Sequence, residues 1–300
     1  MLILTIWPLF ALICLGFLLA RSGQPGPGFW PAAERLNYFI LFPALLVSSL
    51  VNAPVRDPAI LRLGGAAVVT ILVAALLLSL ARRIRPVPAA RFGPALQGVV
   101  RFNTYLGLAV TASLAGAAGV ERAAVFLAIS VPLVNVLSIL ALTEGGAARR
   151  PRVMIATMLR NPLILACLVG IALALLGVGL PYGTGNFLDL LARGSLPLGL
   201  LCVGAALQPA ALRSDIVAVA GVSALRLLVM PMLAAGVGLA LGLSGVEALV
   251  LVIFTAVPTA PTSYVLTTQL KGDGTYMAGI VTAQTLAAVA TLPLVLALLG

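Results

Sequence analysis

The sequence predicts an all-α membrane protein: ten transmembrane helices arranged as two inverted five-helix repeats, with helices 4 and 9 broken and crossing. Three observations lead there. Hydrophobic residues make up 62% of the chain and charged residues 9%, against roughly a half and a quarter in soluble domains. Ten apolar stretches approach the roughly 20 residues that cross the hydrocarbon core as a helix. Glycines and prolines within and between those stretches recur 154 residues apart.

In order, the stretches are Leu2 to Ala20, Phe29 to Val51, Ile60 to Ala81, Phe92 to Gly116, Val120 to Leu142, Met154 to Val178, Asn186 to Leu207, Ile216 to Leu241, Glu247 to Leu270 and Tyr276 to Leu299. They are called segments 1 to 10 below. Segment 1 lacks the basic start and small-residue cleavage site of a signal peptide, so it is expected to stay in the mature protein.

Pro8, Gly16, Gly23, Pro27 and Pro43 fall in register with Pro162, Gly170, Gly177, Pro181 and Pro197. Three of the five prolines among the first 50 residues thus find a proline partner, where chance gives roughly a third of one. Duplication divides the chain into residues 1–142, a cytosolic linker at 143–153, and residues 154–300. Because each copy holds five spans, the copies lie in opposite orientations, an arrangement typical of secondary transporters.

The net charge of +10 does not point to nucleic acid, because the basic residues sit in short loops beside apolar spans. With the N-terminus outside, inner loops hold Arg21, Arg82, Arg83, Arg85, Arg91, Arg149, Arg150, Arg152, Arg213 and Lys271, and outer loops hold Arg56, Arg62 and Arg122. The excess of inner cations places both termini outside. Seventeen arginines to one lysine suggest a GC-rich bacterium, hence an inner-membrane location. A homodimer is compatible with this composition.

Several chemistries are excluded. The chain has no histidine, which removes Ser-His-Asp and Cys-His catalysis and imidazole metal ligation. Cys14, Cys167 and Cys202 have unrelated spacings and are read as packing residues. The eight acidic residues stand singly, without the clustered ligands an intramembrane metal-dependent transferase needs. No catalytic residue, metal or cofactor is expected.

Segments 4 and 9 are the most polar. The first carries Arg101, Asn103, Thr104, Tyr105, Gly107, Thr111 and Ser113; the second carries Pro258, Thr259, Pro261, Thr262 and Ser263, with Pro261 in register with Gly107. A proline removes an amide donor and frees carbonyls, and irregular backbone survives at membrane depth only where protein or a wet cavity covers it. Each break should present a helix N-terminus, with its positive dipole end, near the midplane. Two such ends meeting would make an anion site.

Arg101, Asn103, Thr104, Tyr105, Gly107, Pro258, Thr259, Pro261, Thr262 and Ser263 are therefore the candidate substrate-binding residues. Asn103 is the sharpest: its amide can hold a carboxylate or a cation, or make an interhelical hydrogen bond worth only about 0.6 kcal/mol. The hydroxyls of Thr259, Thr262 and Ser263 could instead bond their own helix backbone.

Arg101 and Arg226 lie about ten residues into their spans, where an arginine costs about 2.5–3.5 kcal/mol. Arg226 is expected to bind backbone carbonyls or snorkel; Arg101, two residues from Asn103, is open between that and an anion. Asp189 and Arg193, four apart, are expected to neutralise each other. Glu34 and Arg35 are placed near the inner end of segment 2, within reach of water. With no carboxylate placed at the midplane, export or potential-driven exchange is the simpler expectation. Sodium held by Asn103, Asn135, Gln284 and loose carbonyls remains open, as does a proton.

The stretches VVRFNTYLGLAV (Val99 to Val110), RNPLILACLVGIAL (Arg160 to Leu173), SLPLGLLCVGAAL (Ser195 to Leu207), RLLVMPMLA (Arg226 to Ala234), AVPTAPTSYVL (Ala256 to Leu266) and TLPLVLALLG (Thr291 to Gly300) resemble the auxin efflux carrier family. That family includes bacterial malonate permeases and plant auxin exporters, and the likeness spans essentially the whole chain. It implies two inverted five-helix repeats related to bile acid and sodium symporters, a scaffold set and a mobile set of helices, and substrate at the crossing of segments 4 and 9. It also implies that Asn103 is the crossing asparagine and that Pro258 and Pro261 lie in the second break.

Two departures stand out. Where plant relatives have Gly-x-Pro in segment 4, this chain has Gly107, Leu108 and Ala109, so a gentler break is expected there. The loop from Glu144 to Val153 is short. The expected activity is secondary transport of a small organic anion, a mono- or dicarboxylate, by alternating access. Sodium-coupled symport of a bulkier, bile-acid-like anion is the runner-up.

Overall fold

The structure, a computed structural model, describes residues 2–26, 28–143 and 159–299. Among them every regular element is helical and no strand occurs. The helices are α1 (Leu2–Arg21), α2 (Phe29–Leu36), α3 (Phe42–Val51), α4 (Pro58–Ile84), α5 (Ala89–Val100), α6 (Thr104–Leu142), α7 (Pro162–Leu176), α8 (Thr184–Ala205), α9 (Ile216–Ala224), α10 (Met230–Ala240), α11 (Gly245–Ala256), α12 (Thr262–Gln269) and α13 (Gly274–Leu299). The predicted linker at 143–153 lies, apart from Thr143, outside the described residues, as does the predicted start of segment 6 at Met154.

Local chemistry sets these boundaries. Asp57 and Asn161 each precede a first-position proline, and their side chains accept from Ala59 N at 2.8 Å and Leu163 N at 2.9 Å, the combination that starts a helix. Gly177, at φ 66°, ends α7 in the left-handed conformation.

Segments 2 and 8 each contain one π-turn, at Asn37–Leu41 and Leu225–Val229, shortly before Pro43 and Pro231. The wider turn accommodates a ring that would clash with the carbonyl four residues earlier. Each π-turn also holds a buried polar residue, Asn37 or Arg226.

Residues Ala89–Leu142 form a 54-residue apolar stretch, about 80 Å if straight and far too long for one crossing. It is a hairpin. Gly116 interrupts α6 with non-helical angles (φ 58°, ψ −150°), and Phe126 returns to within 5.4 Å of Phe102, centroid to centroid. Further along, a Cβ on Gly93 would meet the Leu142 side chain at 2.3 Å. Among the described residues, seven helical stretches have the length and hydropathy to span a membrane, and two shorter apolar helices accompany them. Their outward faces carry Leu76, Val217, Leu239 and Leu298, the apolar exterior a bilayer requires.

The helices pack as two sets. Helices α1, α2, α3, α7 and α8 form a panel, with α1 on α8 and α3 on both α7 and α8; the other helices form a body around α5, α6, α11 and α13. Small residues allow the close approaches in the panel. A Cβ on Gly16 would lie 2.0 Å from Leu201 O, and one on Gly170 would lie 2.6 Å from Leu50 Cβ and 3.4 Å from Val47 Cα.

Polar contacts tie each end of the body. At one end Arg91 pairs with Asp215 and, at 3.7 Å, with Asp273, and stacks over Tyr276 at 4.4 Å. At the other, Arg122 pairs with Glu247 at 2.5 Å and Arg62 donates to Gly242 O at 3.2 Å. The expected Asp189–Arg193 pair is corrected: Asp189 accepts from the hydroxyl of Ser48, across the α3–α8 contact. Cys14, expected to pack, is exposed on α1, whereas Cys167 and Cys202 are buried.

Candidate functional site

The two breaks meet. Helix α5 stops at Val100 and α6 starts at Thr104, leaving Arg101–Asn103 non-helical; α11 stops at Ala256 and α12 starts at Thr262, leaving Val257–Pro261 non-helical. The backbone N–H of Asn103 donates to Pro258 O at 2.8 Å. The first break thus lies at Arg101–Asn103, not at Gly107, and needs no proline: three residues leave the helix and Asn103 restarts it. Gly107 lies inside α6, where a Cβ would stand 2.6 Å from the Phe254 ring. Its smallness brings α6 onto α11.

The ends of the half-helices are treated differently. At the C-terminal ends of α5 and α11, the Arg226 guanidinium donates to Val99 O at 3.0 Å, Val257 O at 2.8 Å and Phe254 O at 2.5 Å. Gln284 donates to Gly98 O at 2.9 Å and accepts from Thr259 N at 2.8 Å, while the Thr259 hydroxyl donates to Gln97 O at 3.1 Å and meets Ser263 Oγ at 3.2 Å. These side chains are buried. The cation thus caps two negative dipole ends, which offsets the cost of an intramembrane arginine.

The N-terminal ends face a cavity. A compartment of about 90 Å³ is lined on the body side by Arg101, Asn103, Thr104, Tyr105, Asn135, Pro261 and Thr262, and on the panel side by Glu34, Tyr38, Asn161 and Val203. It shares Glu34, Tyr38, Arg101, Asn135, Asn161 and Thr262 with a vestibule of about 510 Å³. Asn103 is 1% exposed. Its Oδ1 accepts from Leu106 N at 3.1 Å, capping α6, and its Nδ2 has no partner among the described residues. A buried amide donor at a cavity wall, without a partner among the described residues, can donate to whatever occupies the cavity.

Six of the ten candidate substrate-binding residues therefore line the cavity: Arg101, Asn103, Thr104, Tyr105, Pro261 and Thr262. Gly107, Pro258, Thr259 and Ser263 do not; they build the crossing from behind. The candidate cation ligands also separate, since Asn135 lines the cavity while both polar atoms of the Gln284 amide are spent on Thr259 and Gly98. Sequence reasoning missed the panel wall. Tyr38 and Asn161 went unnoticed, and Glu34, expected near water at a helix end, accepts from the Tyr105 hydroxyl at 3.4 Å inside the site. A carboxylate within an apolar span was the available signal.

A helical bundle with an apolar exterior, two interrupted helices touching inside it and a polar cavity at their contact defines a membrane transport protein. Residues 1–296 match the family model described as membrane transport protein, and the chain belongs to that family. It is 26% identical over 293 residues to an uncharacterized transporter of Methanothermobacter thermautotrophicus, an alignment covering 97% of this chain and 96% of that protein. The auxin efflux carrier resemblance in the sequence agrees with this assignment.

Proposed function

We propose that the protein is a secondary active transporter, an efflux carrier or permease, moving a small organic anion such as a mono- or dicarboxylate across a bacterial inner membrane by alternating access. One observation carries the anion reading: the negative ends of the broken helices are capped by Arg226 away from the cavity, whereas the positive ends, the free Asn103 amide and Arg101 line it. A carboxylate in the 90 Å³ compartment would accept from Asn103 Nδ2 and pair with Arg101, its organic body extending into the vestibule.

Two further features support ten spans in inverted repeats. The Gly16–Leu201 approach has its counterpart in Gly170 against Val47, and Leu201 and Val47 are themselves 154 residues apart, as a two-fold exchange of the copies requires. The cavity lies between panel and body, so a body that slides against a fixed panel would carry the crossing from one membrane face to the other. With the basic loops inside, the vestibule, bordered by Arg35, Ile139, Asn161 and Gln269, opens to the cytoplasm and both termini lie outside.

Counterflow of labelled malonate in proteoliposomes tests this reading. Asn103→Ala is expected to lower flux at least tenfold, equivalent to about 1.4 kcal/mol. Asn103→Asp keeps the helix cap but replaces the donor with a negative charge, so it should lose flux without losing thermal stability. Unchanged flux and KM in both variants would remove Asn103 from the site. Sodium dependence of flux would favour the bulkier-anion symport reading instead.

A further inference from the structure

We propose that Glu34 is a proton-binding site that couples one proton to each carboxylate carried, an inference that rests on the cavity being the anion site. Glu34 and Thr262 line the 90 Å³ compartment, the 510 Å³ vestibule and a third cavity of about 370 Å³ between the panel and segments 9 and 10. The carboxylate therefore stands where all three spaces join, and a solute reaching Asn103 passes it.

The groups around it define its task. Arg35 and Tyr38 come from its own segment, Arg101 from the first break, Tyr105 from α6, Cys202 from α8 and Tyr264 from α12. Arg101 is the cation on the opposite wall. The ion pairs of the described residues join Arg91 to Asp215 and Asp273, and Arg122 to Glu247; none joins Arg101 to Glu34. The guanidinium donates to Gln97 Oε1 at 3.4 Å and is paired with no carboxylate among the described residues, so its charge is left for a ligand to balance.

An entering carboxylate changes that balance. Once it pairs with Arg101, ionised Glu34 is a like charge in a narrow, poorly solvated space, which favours the protonated form. A proton taken from vestibule water onto a Glu34 carboxylate oxygen removes the repulsion and supplies a hydroxyl donor to the anion. It is released when the solute leaves. Tyr105 belongs to the body and Glu34 to the panel, so the hydrogen bond between them at 3.4 Å crosses the boundary along which the two sets would slide. Protonation at Glu34 is thereby sensed at the interface that must move.

The test uses the full chain in liposomes, with labelled malonate, the membrane potential clamped at zero, and a gradient between about pH 7 and 8, where malonate remains a dianion. The wild type should accumulate malonate about tenfold on the alkaline side for each unit of gradient, the ratio one coupled proton sets. Glu34→Gln, compared at whatever rate of malonate–malonate counterflow it retains, should lose the accumulation. A wild-type ratio indifferent to the gradient, or a Glu34→Gln protein that still accumulates, overturns the proposal. Absence of counterflow in the wild type is a separate result that overturns the anion reading itself.

Should Glu34→Gln fail to fold, a pH-indicator titration of the solubilised wild type decides. Uptake of about one proton per malonate bound supports the coupling, and no uptake overturns it.

Discussion

The crossing has two faces built from similar residues and finished differently. Behind it, Arg226, Gln284, Thr259 and Gln97 are buried, and their side chains are engaged across the breaks. In front, among the described residues, Asn103 Nδ2 has no partner and Arg101 reaches Gln97 Oε1, at 3.4 Å. A polar group in a membrane helix is thus uninformative by itself. The unpaired donor is the one free to meet a ligand, and the paired ones hold the interrupted backbone in place.

The largest effect should come from breaking the closed face. Arg226→Leu leaves Val99 O, Phe254 O and Val257 O without their donor, at about 1–3 kcal/mol for each buried orphan. Loss of the folded protein in detergent, or a large fall in its melting temperature, is expected. Arg226→Lys should rescue little, because a point charge cannot reproduce the planar fork that reaches three carbonyls. A stable Arg226→Leu protein would mean that the breaks hold themselves open.

A smaller effect separates the faces by kind. Thr259→Val removes the hydroxyl bond to Gln97 O but leaves its backbone bond to Gln284, so stability should fall by about 1 kcal/mol. The KM for malonate should not change, in contrast to Asn103→Asp, where flux falls and stability holds. A KM change in Thr259→Val would place the closed face in contact with substrate.

This division explains what the sequence revealed. Segment ends were readable because apolar runs, Asp57 and Asn161 before prolines, and Gly177 act locally. The crossing was readable because Pro258, Pro261 and the polar run from Arg101 interrupt the two most polar of the apolar segments. Which polar residues face the cavity was not, since Thr259 and Thr262 are three apart in one short stretch and only tertiary packing turns one inward. The panel wall was hidden for the same reason: Glu34 meets Tyr105 across 71 residues. The Gly107 break was misplaced because its glycine serves a close approach to Phe254, a purpose indistinguishable from flexibility in one dimension.

The smallest effect concerns a polar cluster that is neither buried nor open to the cavity. Asp215 is about a third exposed, with a side-chain accessibility of 34%; the Arg91 guanidinium and then the Ala218 amide hold its carboxyl below the ordinary value of 3.8. A carboxyl lowered in the folded state stabilises fully above its unfolded pKa and loses that contribution as pH falls through the folded one. Asp215→Asn keeps the helix cap on Ala218 and removes only the charge. Its melting temperature should therefore sit slightly below wild type, by a constant amount, at all pH values above the ordinary 3.8, and the gap should close in stronger acid. A gap as wide as that of Arg226→Leu would show that exposure does not rank these contacts, and the contrast between sealed and solvated polar groups would fail with it.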